Sequence, residues 1–163
     1  MLDYGPLTTT FQLFYHEWKV GQNKLSAVKT ISLDAGSQLN SIRIDYTTTS
    51  TKATPVVAGF TTREGNGIKY LDEVNGTMVY WEPQQGNVGI TGVACLFDTP
   101  IEKMTEANGQ LLAKTVTNSA HSITYYAGAV WNKDGTIING KQWIQYVNKF
   151  KQQLKNPLIV VLN

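Results

Sequence analysis

Cysteine and histidine are nearly missing from this sequence. Cys95 is the only cysteine in 163 residues, so no disulfide can close within the chain. It lies in the apolar stretch Val93-Ala94-Cys95-Leu96-Phe97, where the expectation is a buried, inert thiol. The two histidines, His16 and His121, share no metal-ligand spacing with it, which excludes a transition-metal centre and leaves no cofactor to expect. Charge is also scarce, at 16% of residues against about 25% in an ordinary soluble domain. That argues against a coiled coil, a disordered tail or a binder driven by charge. The 14 Lys+Arg and 12 Asp+Glu leave a net +2, and only Lys149, Lys151 and Lys155 cluster, so a nucleic-acid groove is not expected. No apolar run approaches the ~20 residues of a membrane-spanning helix. Met1 is followed by Leu-Asp-Tyr-Gly-Pro rather than a basic segment and an apolar core, so no signal peptide is read here. Gly86 to Gly92 is not followed by the Gly-Lys-Ser/Thr of a phosphate loop, no serine sits in a nucleophile elbow, and no spaced acidic loop marks a calcium site.

What the sequence does contain is one domain's worth of β pattern, with 42% hydrophobic residues to fill a core. Thr8 to Trp18 alternates Thr8, Thr10, Gln12, Phe14 and His16 against Thr9, Phe11, Leu13, Tyr15 and Glu17, with Val20-Gly21-Gln22-Asn23 as a turn. Lys24 to Leu33 follows, with Leu25, Val28, Ile31 and Leu33 expected to face the core. Leu39 to Thr49 sets Ile42, Ile44 and Tyr46 against Ser41, Arg43 and Asp45, the pattern of a half-buried strand. Further strands are expected at Ala53 to Thr62, Ile68 to Val74, Thr77 to Glu82, Val88 to Phe97, Gln110 to Val116 and Ser122 to Val130, with Arg63-Glu64-Gly65-Asn66-Gly67 as a hairpin turn. This series predicts an antiparallel β-sandwich without repeats or linkers. Lys141 to Leu154 places Trp143, Ile144, Val147, Phe150 and Leu154 at helical spacing, between Asn139-Gly140 and Asn156-Pro157. Leu158 to Leu162 reads as a closing strand.

Three segments combine aromatic, ionisable and glycine residues beyond what packing requires. They are Tyr80-Trp81-Glu82-Pro83 with the glycines after it, His121 to Trp131, and Ser41 to Tyr46, which puts Arg43 and Asp45 on one strand face. Such a set suits a sugar, whose C–H face packs on Trp or Tyr and whose hydroxyls need polar partners. Arg43 has the fork geometry to hold the carboxylate of a sugar acid. Glu82 and His121, if adjacent, would form an acid/base pair. A plain alternative stands beside each: strand aromatics that only pack, an Arg43–Asp45 surface pair, and structural histidines.

The same residues carry a resemblance. Asp3 to Phe11, Lys29 to Asn40, Tyr80-Trp81-Glu82-Pro83, His121, Tyr125 to Trp131 and Asn156-Pro157-Leu158 follow one another in an order that resembles a bacterial domain family of unknown function. That family is associated with secreted or periplasmic breakdown of pectin-like and other acidic glycans. The resemblance implies a galactose-mutarotase-like supersandwich, a polysaccharide or oligosaccharide partner, and a location in the periplasm or outside the cell. It also implies that this chain is the C-terminal part of a longer protein, completed by an N-terminal half-domain or a homodimer partner. Acid/base or sugar-binding roles pass by this route to Arg43, Trp81, Glu82, His121, Tyr126 and Trp131.

Three readings follow. In a hydrolase or lyase, Arg43 positions a sugar acid while Glu82 and His121 move protons. In a binding module, Trp81, Tyr126 and Trp131 form a stacking platform. In a structural module, an apolar face packs on a missing domain.

Overall fold

The computed structural model describes residues 1–157, so the closing strand expected at Leu158 to Leu162 lies outside the described residues. Within them the chain is antiparallel β with one C-terminal helix, as the alternation predicts. The strands are β1 (Asp3–Tyr4), β2 (Thr8–Val20), β3 (Asn23–Asp34), β4 (Leu39–Thr48), β5 (Pro55–Thr61), β6 (Ile68–Asp72), β7 (Thr77–Trp81), β8 (Thr91–Phe97), β9 (Lys103–Ala107), β10 (Gln110–Val116) and β11 (Ser122–Trp131), followed by α1 (Gly140–Lys155).

Eight of them form one sheet in the order β1-β2-β3-β4-β11-β8-β7-β6, and three form a second in the order β5-β10-β9. The two sheets enclose the core. Met78, Tyr80, Cys95 and Phe97 of the large sheet meet Met104, Leu111 and Ala113 of the small one. Beside them, Ala27, Ile44 and Ile123 pack with Val56 of β5. Because side chains alternate along a strand, the other face of the large sheet carries Val79, Trp81, Ala94, Leu96 and Val130, and these are roofed by Trp143 and Val147 of α1. The result is three layers: helix, large sheet, small sheet.

The helix is set by its ends and one face. Asn139 caps it by accepting from the Gln142 backbone N–H at 3.0 Å, and the Gln142 side chain accepts in return from the Ile138 N–H at 2.9 Å. Trp143 is fully buried and donates its indole N–H to the Val93 carbonyl at 3.2 Å. Gly92 makes that seat possible, since a Cβ there would lie 2.7 Å from both the Trp143 and the Trp81 rings.

Several local expectations change. Arg63 to Gly67 is not a hairpin turn, because β5 and β6 belong to different sheets. The segment crosses the end of the sandwich, held where the Arg63 N–H donates to the Tyr80 hydroxyl at 2.9 Å. Val88 to Ile90 does not join β8: Gly89 takes a left-handed φ of +96°, and the Ile90 N–H is bound by the Asn132 side chain at 2.8 Å. Val28 does not face the core with Leu25 and Ile31; its partner Asp45 puts it on the opposite face. β2 is irregular between Tyr15 and Trp18, where its pairing with β3 shifts.

Candidate functional site

The register of β2, β3, β4 and β11 aligns their side chains in rows across the outer face of the large sheet, next to the helix. One row runs Gln12, Thr30, Arg43, Thr124. The next runs Thr10, Ser32, Ser41, Tyr126, and the row on the other side runs Phe14, Val28, Asp45, Ser122. Residues opposite one another on neighbouring strands share a face, so this part of the sheet is almost wholly hydroxyl, amide and ionic. Cross-strand hydrogen bonds preorganise it. Thr10 and Ser32 hydroxyls meet at 2.8 Å, and Gln12 donates its amide N–H to the Thr30 hydroxyl at 3.0 Å. α1 covers the face over β7 and β8 and reaches Tyr126, and Ser122 is buried, but the β2, β3 and β4 positions of these rows lie beyond the helix.

Arg43 and Asp45 lie two residues apart on β4 and form the fork the sequence suggests. The Arg43 Nη2 donates to Asp45 Oδ1 at 2.6 Å, and its Nε donates to both carboxylate oxygens at 3.0 Å. Both side chains remain about half exposed, so the pair offers donors and acceptors side by side while adding little to stability. Tyr126 is the diagonal neighbour of Arg43 across the β4–β11 pairing, a separation of ~7–8 Å. Its ring edge packs on Phe150 of α1, with centroids 5.5 Å apart. Burial, helped by the charges of Asp98 and Asp34, raises its pKa, so its hydroxyl keeps its proton as a donor.

Beyond Tyr126 the face opens into a cleft of about 330 Å³ between the end of α1 and the loop after β8, the size range of small-ligand pockets. Asp98, Thr99, Tyr126 and Lys151 line it. Burial and the neighbouring Lys155 lower the pKa of Lys151, and no salt bridge joins it among the described residues. The Thr99 hydroxyl is buried without a partner among the described residues.

The other sequence candidates lie elsewhere. Glu82 and His121 are not a pair. The Glu82 N–H bonds the Thr91 carbonyl, level with Trp131 at the end of β11, while His121 precedes Ser122 at its start. The ten-residue length of β11 separates them, roughly 30 Å at about 3.3 Å per residue. The Glu82 carboxylate is taken up by Arg63, with Nε to Oε1 at 2.9 Å. His121 occupies a left-handed turn, φ +54°, built around the Asn118 side chain, which accepts from the Ala120 and Ser122 N–H groups.

Nor do Trp81, Tyr126 and Trp131 form a platform. Trp81 is 6% exposed beneath α1. Trp131 is exposed, but an odd number of residues from Tyr126 places it on the opposite side of β11, where its indole N–H donates to the Val88 carbonyl at 3.1 Å. Of the six candidates, Arg43 and Tyr126 share one site.

Sequence reasoning did not single out Gln12, Phe14, Thr30, Asp98 or Lys151. The first three carried a signal, their shared even-numbered face in the alternation of β2 and β3. Asp98 and Lys151 carried none, since only the approach of α1 to the β8 loop joins them. Among the described residues no three His, Cys, Asp or Glu side chains converge on a metal position, and no helix is long and apolar enough to cross a membrane.

The fold has known relatives. A protein assigned as a kojibiose phosphorylase, from the human microbiome, superposes with a TM-score of 0.65 over 90% of this chain and 21% of its own, at 12% identity. Uncharacterized protein P7 of Formosa agariphila is 25% identical over 96% of this chain. The chain spans 40% of the length of that relative. Residues 1–160 match the family model described as Domain of unknown function (DUF4861), and the chain belongs to that family.

Proposed function

We propose that this domain handles carbohydrate, binding an oligosaccharide along the open face from Phe14 and Gln12 to Tyr126 and the cleft beyond it, as part of a bacterial glycan-degrading protein of the periplasm or cell exterior. The observation that supports it most is the diagonal placement of the Arg43–Asp45 fork beside Tyr126. A pyranose needs paired donors and acceptors for vicinal hydroxyls and an apolar surface for its C–H groups. The fork supplies the first. Tyr126, and Phe14 at 70% exposed across the sheet, supply the second. The likeness to a protein assigned as a kojibiose phosphorylase supports the choice of sugar over other polyhydroxylated ligands.

The ligand chemistry follows from the charges. Asp45 already occupies the Arg43 guanidinium, so a uronate would have to displace a carboxylate held by three hydrogen bonds. Lys151 in the cleft has no such partner among the described residues and is the better seat for an acidic unit of a pectin-like fragment. The body of the ligand on the sheet is hydroxyl-rich and neutral. This favours a binding role for the face over the acid/base chemistry that an adjacent Glu82 and His121 would have provided. Titration of neutral and uronic-acid oligosaccharides against the chain by calorimetry tests it. Saturable binding lost in Tyr126→Ala is expected, and the absence of binding to either class would contradict the proposal.

A further inference from the structure

We infer that the open face reads a linear stretch of sugar chain laid across the strands, one unit over each of β2, β3, β4 and β11, with a further unit in the cleft. This rests on the carbohydrate reading above and adds to it the direction and length of the ligand. The shape of the exposed strip sets the direction. Along β4 the face stops at Leu39, which is 2% exposed within the cluster beneath α1. Along β11 it stops at Ser122, also 2% exposed and tied to the Asn118 side chain. Between these stops lie two open rows, which give a chain parallel to the strands room for little more than one ring. Across the strands the same two rows run from β2 to β11 and then meet the cleft beyond Tyr126. Three strand spacings make that path about 14 Å long before the cleft begins.

The chemistry repeats with the strands. β2 offers Thr10 and Gln12, and β3 offers Ser32 and Thr30. β4 offers Ser41 and Arg43, and β11 offers Tyr126 and Thr124. Each strand thus presents two polar side chains on one face, two residues and about 7 Å apart, which is wide enough to flank a pyranose ring. Successive pairs stand one strand spacing apart, close to the repeat of a linear chain of pyranoses. The cross-strand contacts of Thr10 with Ser32 and of Gln12 with Thr30 hold these pairs in place. A hydroxyl that makes one such contact still has a lone pair or a proton for a ligand. At the β2 end the path is open, because β1 pairs only with Thr9 and Thr10 and no strand stands beside Gln12 among the described residues. A longer chain therefore overhangs there without a clash. The ligand class this geometry fits is a run of units within a polysaccharide or long oligosaccharide, rather than a free monosaccharide or disaccharide.

The test is a calorimetric titration of the chain with two size-fractionated series, monomer to octamer. One series is partly methyl-esterified pectin fragments and the other is neutral β-linked glucan fragments. In whichever series binds, affinity should climb at least ~10-fold from dimer to pentamer and then flatten. Gln12→Ala removes a polar group from the strand farthest from the cleft, so its curve should flatten one unit earlier, with circular dichroism unchanged. Equal affinity from dimer to octamer would overturn the inference and leave the carbohydrate reading standing. A plateau that Gln12→Ala does not move would do the same. Binding of neither series at any length would overturn the carbohydrate reading and this inference with it.

Discussion

Arg43 and Tyr126 stand diagonally across the β4–β11 pairing on the open face of the large sheet. The guanidinium is fixed by Asp45, and the phenol is fixed by Phe150, so neither needs much ordering on contact with a ligand. Preorganisation of this kind is what converts a polar surface into a binding site. The two side chains come from strands about half the sequence apart, and only the sheet order brings them together.

The ion pair of Glu82 with Arg63 lies at the far end of the sheet from this site. Glu82→Gln should therefore leave sugar binding unchanged. It should alter stability by no more than about 1 kcal/mol, because the Arg63 side chain is mostly exposed. Binding titrations and thermal melts of the variant check both expectations. Loss of binding would return Glu82 to the site.

Alkaline stability should be governed in part by Cys95. Burial pushes its thiol from an ordinary 9.0 up to about 12. The folded chain thus keeps a proton that the unfolded chain releases above pH 9, and stability falls as pH rises from 9 to 12. Three pKa units correspond to about 4 kcal/mol at most. Tyr125, raised by burial from 10.0 to about 12, adds a loss that begins one unit higher. In Cys95→Ala, urea melts across this range should lose the component that starts at pH 9 and keep the later one. A slope identical to the parent chain would show that the thiol is not desolvated.

Contact between α1 and the sheet rests on a close approach. Gly92→Ala would bring a Cβ to 2.7 Å from the Trp143 and Trp81 rings, and overpacking of this kind costs typically 1–3 kcal/mol. Trp143→Ala should cost more, about 3–5 kcal/mol, because the ring is fully buried. Denaturant melts rank the two. A neutral Gly92→Ala would mean that the helix is free to move away.

Much of this fold could be read in the chain, because alternation marks a strand wherever one face is buried and the other is not. Leu39 to Thr49 showed it well, and β4 occupies nearly the same span. β9 escaped because Lys103-Met104-Thr105-Glu106-Ala107 offers only Met104 to the core. β1 has two residues and no pattern. The helix was legible from its spacing and caps, down to Asn139.

The site was harder to read. Arg43 with Asp45 could be inferred because they share one strand. Trp81 looked like a ligand plate because nothing local reveals that α1, some sixty residues later, lies on it. Glu82 and His121 looked like partners because residue type says nothing about which ends of β7 and β11 align. That depends on pairing through β8, a long-range fact that periodicity does not carry.

The most direct experiment is calorimetric titration of an oligosaccharide panel into the parent chain, Tyr126→Ala and Arg43→Ala, with circular dichroism to confirm that each variant is folded. Saturable binding to the parent, weakened at least ~10-fold in both folded variants, is the predicted result. Binding that survives both substitutions would place the sugar elsewhere on the molecule, and the open face would lose its assigned role.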